Sequence, residues 1–212
     1  MSLYALKPRF QNLLRPLTDW LFRHGVTANQ VTLTAAGGSI AVGAVAAFGS
    51  PRHSLFLLIP LWLFIRMALN AIDGMLAREH GQKSALGAYL NELGDVVSDV
   101  ALTLPFLAVQ AFCAADVWLF ALLAAIAECA GLAGPLAGAS RRYDGPFGKS
   151  DRAFVLGAFA LWVGAGGAGG AVGAAGVGLW RALIVLSLVT AIRRVRAGVA
   201  EANRARVGSD VS

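Results

Sequence analysis

Apolar residues recur at roughly helical spacing through the first 28 positions. Leu6, Phe10, Leu13, Leu14, Leu17, Trp20 and Leu21 alternate with Lys7, Arg9, Arg15 and Arg23. This pattern predicts an interfacial amphipathic helix that lies in the headgroup layer with its basic groups toward anionic lipid. Gly25 to Thr32, G-V-T-A-N-Q-V-T, then predicts a polar turn and a helix cap. Beyond it the amphipathic pattern gives way to long apolar runs. Six of these, about 31–49, 54–75, 86–110, 117–138, 152–168 and 176–194, are placed as membrane spans. The expected fold is an all-α integral membrane protein, six transmembrane helices preceded by an N-terminal interfacial helix. Residues 1–28 form the interfacial helix, 29–197 the membrane domain and 198–212 a cytoplasmic tail, and no second domain is evident. In the first span Ala35, Ser39, Gly43 and Ala47 stand four apart, a stripe for close helix packing. The glycine-rich run Gly164 to Gly178 lacks the Lys-Ser/Thr of a phosphate loop and is expected to be a slack connection.

Composition supports the membrane reading. At 57% hydrophobic and 14% charged residues, with a mean hydropathy of +0.65, the chain does not suit a soluble globule. The first 28 residues lack a continuous apolar core, which argues against a cleavable signal peptide. Cys113 and Cys129 have no metal-type spacing and are expected as buried free thiols. A net charge of +6 would admit a nucleic-acid partner, but the distribution of cations points to a membrane. Fifteen Lys and Arg fall in the N-terminal segment, the second-to-third loop, the fourth-to-fifth loop and the tail, against Arg52 and Arg181 on the other side. The positive-inside rule then puts both termini in the cytoplasm of a cell whose inner (plasma) membrane holds the protein.

The candidate chemistry lies in Asn70 to Asp99. Asn70 and Asp73 are three apart, and Asn91, Asp95 and Asp99 are spaced by four, so each set shares a helix face. Ionisable groups at membrane depth mark sites that face the bundle interior or a water-filled cavity. Two oxygen-bearing faces on consecutive helices, joined by a short polar turn, suggest a cage for a hard cation. The bland alternative is hydrogen bonding between helices. Arg66, four residues before Asn70, is on roughly the same face and balances the acids.

Asp73-Gly74-x-x-Ala77-Arg78, eight residues, then Gly87-x-x-x-Asn91-x-x-x-Asp95 resembles the CDP-alcohol phosphotransferase signature D-x-x-D-G-x-x-A-R-x8-G-x3-D-x3-D. Asn70 and Asn91 stand where that pattern has Asp. The resemblance implies transfer of a phosphatidyl or other phospho-alcohol group from a CDP-alcohol, CDP-diacylglycerol foremost, to an acceptor hydroxyl with release of CMP, in phospholipid biosynthesis. It implies Mg²⁺ or Mn²⁺ held by Asn70, Asp73, Asn91 and Asp95, with Asp95 as general base. Asp73, Gly74, Ala77, Arg78 and Gly87 would bind the nucleotide, and the enzyme would be a homodimer. The four cage positions sum to −2 where the family pattern sums to −4, so one ion where relatives hold two, or ion binding coupled to nucleotide, is expected.

Arg141, Arg142, Lys149 and Arg152 form a second constellation, either an acceptor-binding phosphate subsite or the positive-inside rule at work. Glu128, midway along the fourth span, is expected to be paired with a polar neighbour. Two other functions compete: a catalytically silent relative that binds nucleotide-lipid or serves as a partner subunit, motivated by Asn70 and Asn91, and a transporter. The transporter reading is weakened by the lack of an internal repeat and by acids confined to one membrane face.

Overall fold

The computed structural model describes residues 3–49, 53–167 and 171–209. It is all-helical over those residues: α1 Leu3–Arg23, α2 Ala28–Phe48, α3 Leu58–Glu79, α4 Ala85–Thr103, α5 Ala114–Leu132, α6 Lys149–Gly164 and α7 Ala171–Ser209. Short 3-10 turns cover His53–Leu57, Leu104–Ala108 and Pro135–Ala137. Helices α2 to α7 correspond to the six expected segments. Among the described residues four stretches are long and apolar enough on their own to cross a membrane: Ala28–Phe48, His53–Glu79, Ala114–Leu132 and Ala175–Ala205. Large apolar side chains such as Leu61, Phe64, Leu122, Phe154 and Val185 point outward from the bundle, as lipid-facing residues do.

Helix α2 is the central post. It packs on α3 and α4, while α5 packs on α7 and α6 lies against α3. The close approach of α2 and α4 depends on Gly43, where a Cβ would fall 2.2 Å from the Ala101 carbonyl oxygen. Gly38 likewise makes room for the Trp62 ring, whose Nε1 donates to Ser39 Oγ at 2.9 Å. The small-residue stripe thus packs as expected, except that Ala46 rather than Ala47 is buried. At the end remote from Asp73 the core is aromatic: Phe106 lies 5.1 Å from Phe56, 5.4 Å from Trp180 and 5.6 Å from Phe159 between ring centres. Among the described residues the buried charged groups, Arg66, Asp73, Glu128, Arg152 and Arg194, lie outside this aromatic cluster.

Helix α1 rests on the last turns of α3. Thr18 is buried against Met75, Asp19 pairs with His80 at 3.1 Å and Arg15 with Glu79 at 3.1 Å. Leu13 and Trp20 stay exposed, so the helix keeps an outward apolar face, as an interfacial helix requires.

Four expectations need correction. Cys113 and Cys129 are free but exposed rather than buried. In a lipid-facing bundle the outer surface is itself apolar, so a thiol has no need of the core. The second half of the glycine-rich run, Ala171 to Gly178, is helix and not slack chain; residues 168–170 lie outside the described part. Backbone in lipid must satisfy its own hydrogen bonds, and Gly176 lets Phe112 pack where a Cβ would come within 2.4 Å of its ring. The fourth apolar segment ends its helix at Leu132, so the connection to α6 is longer than its hydropathy implied. Helix α7 continues through the segment expected as a tail, to Ser209.

Candidate active site

Helices α3 and α4 are joined by a five-residue reversal, His80 to Ser84, which the αL backbone of Gly81 (φ 69°) makes possible. Ser84 caps α4 by accepting from the Gly87 amide at 2.9 Å. Gln82 ties this turn to the start of α2, accepting from the Ala28 amide at 2.7 Å. Thr27 caps α2 in a capping box with Gln30. These local devices hold the ends of three helices together, and the candidate residues lie just inside them.

Asp73 is buried and its Oδ2 accepts from Thr32 Oγ1 at 2.9 Å. Asn70 is one turn away, and its Nδ2 donates to Asp95 Oδ1 at 3.4 Å, which leaves its carbonyl oxygen for a cation. Asn91 is half-buried one turn before Asp95. Each oxygen of Asp95 meets a cation: Arg66 Nη2 donates to Oδ1 at 2.9 Å and Lys149 pairs with Oδ2. Arg66, only 4% exposed, also donates from Nη1 to Asp99 Oδ1 at 2.8 Å and from Nη2 to the Asp95 carbonyl at 3.2 Å. Among the described residues no three His, Cys, Asp or Glu side chains are grouped to hold a metal ion. The two asparagines account for this, since they replace carboxylates with amides in the same places.

The ion pairing continues inward. Arg152 donates to Asp99 Oδ2 at 3.2 Å and to Glu128 Oε1 at 2.6 Å, and Glu128 also faces Arg194 at 3.2 Å. One network thus links α3, α4, α5, α6 and α7. With Asp73 included, its four acids (Asp73, Asp95, Asp99, Glu128) match its four cations (Arg66, Lys149, Arg152, Arg194).

The nucleotide-binding candidates lie at the rim. The exposed Arg78 lays its guanidinium over Gly74, where a Cβ would come within 2.9 Å of it. A Cβ on Gly87 would meet Asn29 Oδ1 at 2.7 Å, so a larger residue here would require the Asn29 side chain to shift. Ala77 packs beside Leu76 and Ile72. The basic constellation does not converge on one point. Within this constellation Lys149 is the residue that meets Asp95, while Arg152 is buried and reaches Asp99. Arg141 pairs with Glu92, and Arg142 forks onto Asp144 at 2.8 and 2.9 Å and also meets Glu201. The Arg142 fork holds the Asp144 carboxyl below its ordinary range.

Sequence reasoning missed Thr32, Gln82 and Arg194. Thr32 had a usable signal: it follows the cap on the same face as Ala28, Ala35 and Ser39. Arg194 had none, because its partner Glu128 is 66 positions away and only the fold brings them together.

The sequence profile of the CDP-alcohol phosphatidyltransferase family matches residues 25–185. The chain belongs to that family. Within this CDP-alcohol phosphatidyltransferase family it is 47% identical over 196 residues to Inner membrane protein YnbA of Escherichia coli (strain K12), covering 92% of this chain and 96% of the relative. Two crystal structures of Mycobacterium tuberculosis phosphatidylinositol phosphate synthase share the fold. The form with CDP-DAG bound superposes with a TM-score of 0.72 at 20% identity, over 86% of this chain and 92% of that one. The complex with manganese and citrate gives 0.71 at 22%, over 86% and 87%.

Proposed function

We propose that the protein transfers a phosphatidyl group from CDP-diacylglycerol to the hydroxyl of a small acceptor, releasing CMP, as a step of phospholipid synthesis at the inner membrane. The observation that carries this reading is the juxtaposition of Asn70, Asp73 and Asp95 at the joined ends of α3 and α4, in the signature's spacing and beside Lys149. Family membership supports the reaction class, and the CDP-DAG complex of the mycobacterial relative supports the donor. The YnbA relative, named an inner membrane protein, supports the location.

The residues fit one divalent ion. Asn70, Asp73, Asn91 and Asp95 offer hard oxygen donors, with a total charge of −2. The manganese complex of the mycobacterial relative supports Mg²⁺ or Mn²⁺ as the choice. Held by these four residues, such an ion would neutralise the diphosphate and the departing CMP.

The rest follows from the chain's own groups. Arg78 and Lys149 are placed to meet phosphate oxygens, and Gly74, Ala77 and Gly87 keep the rim low where the nucleotide would lie. Asp95 cannot take a proton on Oδ2 while Lys149 is paired with it. An arriving diphosphate competes for Lys149 and frees that oxygen. The acceptor hydroxyl then attacks the β-phosphorus, gives its proton to Asp95, and the bond to CMP breaks. Arg66 keeps the Asp95 carboxylate aimed throughout. Arg141, Arg142 and Arg152 belong to an acceptor subsite only if their present partners Glu92, Asp144 and Asp99 release them. A homodimer is part of this reading, supported by Gly37 and Ala41, exposed and four apart on one face of α2. Engineered cysteine pairs on that face should crosslink in native membranes.

Incubating the purified protein with radiolabelled CDP-diacylglycerol, Mn²⁺ and a panel of acceptor alcohols should release CMP with at least one of them. No release with any acceptor, from folded protein, would favour the alternative: a silent relative that binds nucleotide-lipid. The asparagines at 70 and 91 are the observation behind that alternative.

A further inference from the structure

The cage differs from the family signature by more than two missing charges. At Asn70 and Asn91 a carboxylate has become an amide, and within the same cluster stands an arginine, Arg66, that is 4% exposed. Its guanidinium spans Asp95 Oδ1 and Asp99 Oδ1, at 2.9 and 2.8 Å, and its Nη2 also reaches the Asp95 carbonyl at 3.2 Å. A cation buried to this degree, with three acceptors from one helix, is fixed in place and does not swing with the solvent.

We propose that the Arg66 guanidinium permanently takes the station of one of two divalent ions, so that this chain works with a single ion. The inference rests on the function proposed above and concerns the same site. Charge decides it. Asp73, Asp95 and Arg66 together carry −1, so one divalent ion brings the cage to +1, ready for a diphosphate. A second ion would bring it to +3, with Arg66 in contact with the shared carboxylate. Four carboxylates without an arginine would carry −4, which two ions neutralise. The amides at 70 and 91 and the arginine at 66 act in one direction: each removes a reason for, or adds an obstacle to, a second ion. Asn70 fits the same logic, since an aspartate there would not donate to Asp95 Oδ1 as the amide does.

The test counts ions. Full-length protein in nanodiscs is titrated with Mn²⁺ in the presence of CDP, by calorimetry for stoichiometry and by electron paramagnetic resonance for ion–ion coupling. Wild type is expected to take one Mn²⁺ per chain, with the sharp hyperfine pattern of an isolated ion. Asn70→Asp with Asn91→Asp should still take one, because Arg66 remains, although more tightly. Adding Arg66→Gln to that pair should admit a second ion and give the broadened signal of a close pair, such as ions roughly 4 Å apart produce. Arg66→Gln alone should raise Mn²⁺ affinity at least about tenfold, since it removes a fixed positive charge from a partly desolvated site. Two coupled ions in wild type would overturn the inference and leave the proposed reaction standing. So would one ion in the folded triple variant. No bound Mn²⁺ in any form would overturn it together with the metal-assisted reading.

Discussion

Asp73 and Asp95 carry equal charges but have different surroundings, and that difference separates their roles. Asp73 is buried, braced by Thr32 and close to the α2 cap, so it has little freedom. Asp95 is held on one oxygen by Arg66 and on the other by a lysine half in solvent, which a phosphate can draw away. Asp95→Asn keeps an oxygen but removes the proton acceptor. CMP release should fall by about 10²- to 10⁴-fold, with CDP binding nearly unchanged in calorimetry. Asp73→Asn should instead weaken Mn²⁺ and CDP binding together, because Asp73 is braced by a hydroxyl while the charge of Asp95 is already met by Arg66 and Lys149. Equal loss of binding in both variants would remove the distinction. Glu128 is the acid of the same network that lies farthest from the signature residues in sequence and is paired on both sides. It is the anion between Arg152 and Arg194. Glu128→Ala would leave two buried guanidinium groups facing each other, a loss of about 3–5 kcal/mol. Glu128→Gln should retain part of it, and thermal unfolding of the two variants in detergent would rank them.

At the scale of elements, the site is made where helix ends are fastened to each other, and the fastenings differ in kind. The α3–α4 reversal is fixed by Gly81, Ser84 and Gln82, all local or near-local contacts. The loop from Ala133 to Gly148 is fixed from a distance: Ser140 donates its amide to Glu201 Oε1 at 2.9 Å, and Arg142 bridges Asp144 and Glu201. This loop leads directly into Lys149, so its clamp positions the lysine that meets Asp95. Because Arg142 lowers the Asp144 carboxyl, the clamp has its full strength above the unfolded aspartate value, about 3.9. It weakens only as pH falls through the lower folded value. Hydrogen exchange over residues 138–148, corrected for intrinsic rates, should therefore show constant protection from near-neutral pH down to about pH 5. Asp144→Asn should lose protection across that whole range. Loss of wild-type protection in mildly acidic buffer would assign the clamp to another group. The contrast also explains what could be read from the sequence. The signature, the helix caps and the apolar runs are local patterns, and they predicted every helix core and the approach of Asn70 to Asp95 across α3 and α4. The break at Leu132, the helical glycine run and the Glu128–Arg194 pair depend on what packs alongside. Arg66 was legible as a neighbour of Asn70, but its fork onto two acids of the next helix required the fold.

Across the whole molecule, chemistry and packing occupy opposite ends. The aromatic cluster around Phe106 and Trp180 fills one end, and the ion network, the α1 contacts and the α3–α4 reversal fill the other. Arg15, Arg23, Arg78, Lys83, Arg141, Arg142 and Lys149 all belong to elements at the second end, whereas Arg181 pairs with Asp116 at 3.4 Å near the first. In the proposed reaction a lipid substrate would enter from the bilayer, while CMP and a polar acceptor would exchange with water, so the ion-network end would open on the compartment that supplies nucleotide. The positive-inside rule predicts that this compartment is the cytoplasm. Helix α2 leaves this end at Ala28 and reaches the far end at Gly49, whereas α7 returns to it. Reporter fusions at Gly49 and Ser212 should accordingly report opposite compartments, with Ser212 cytoplasmic. Both on one side would mean that the number of crossings between them is even. Ser212 outside and Gly49 inside would invert the bundle, and the acids, Lys149 and Arg78 would then face a compartment without CDP-linked donors.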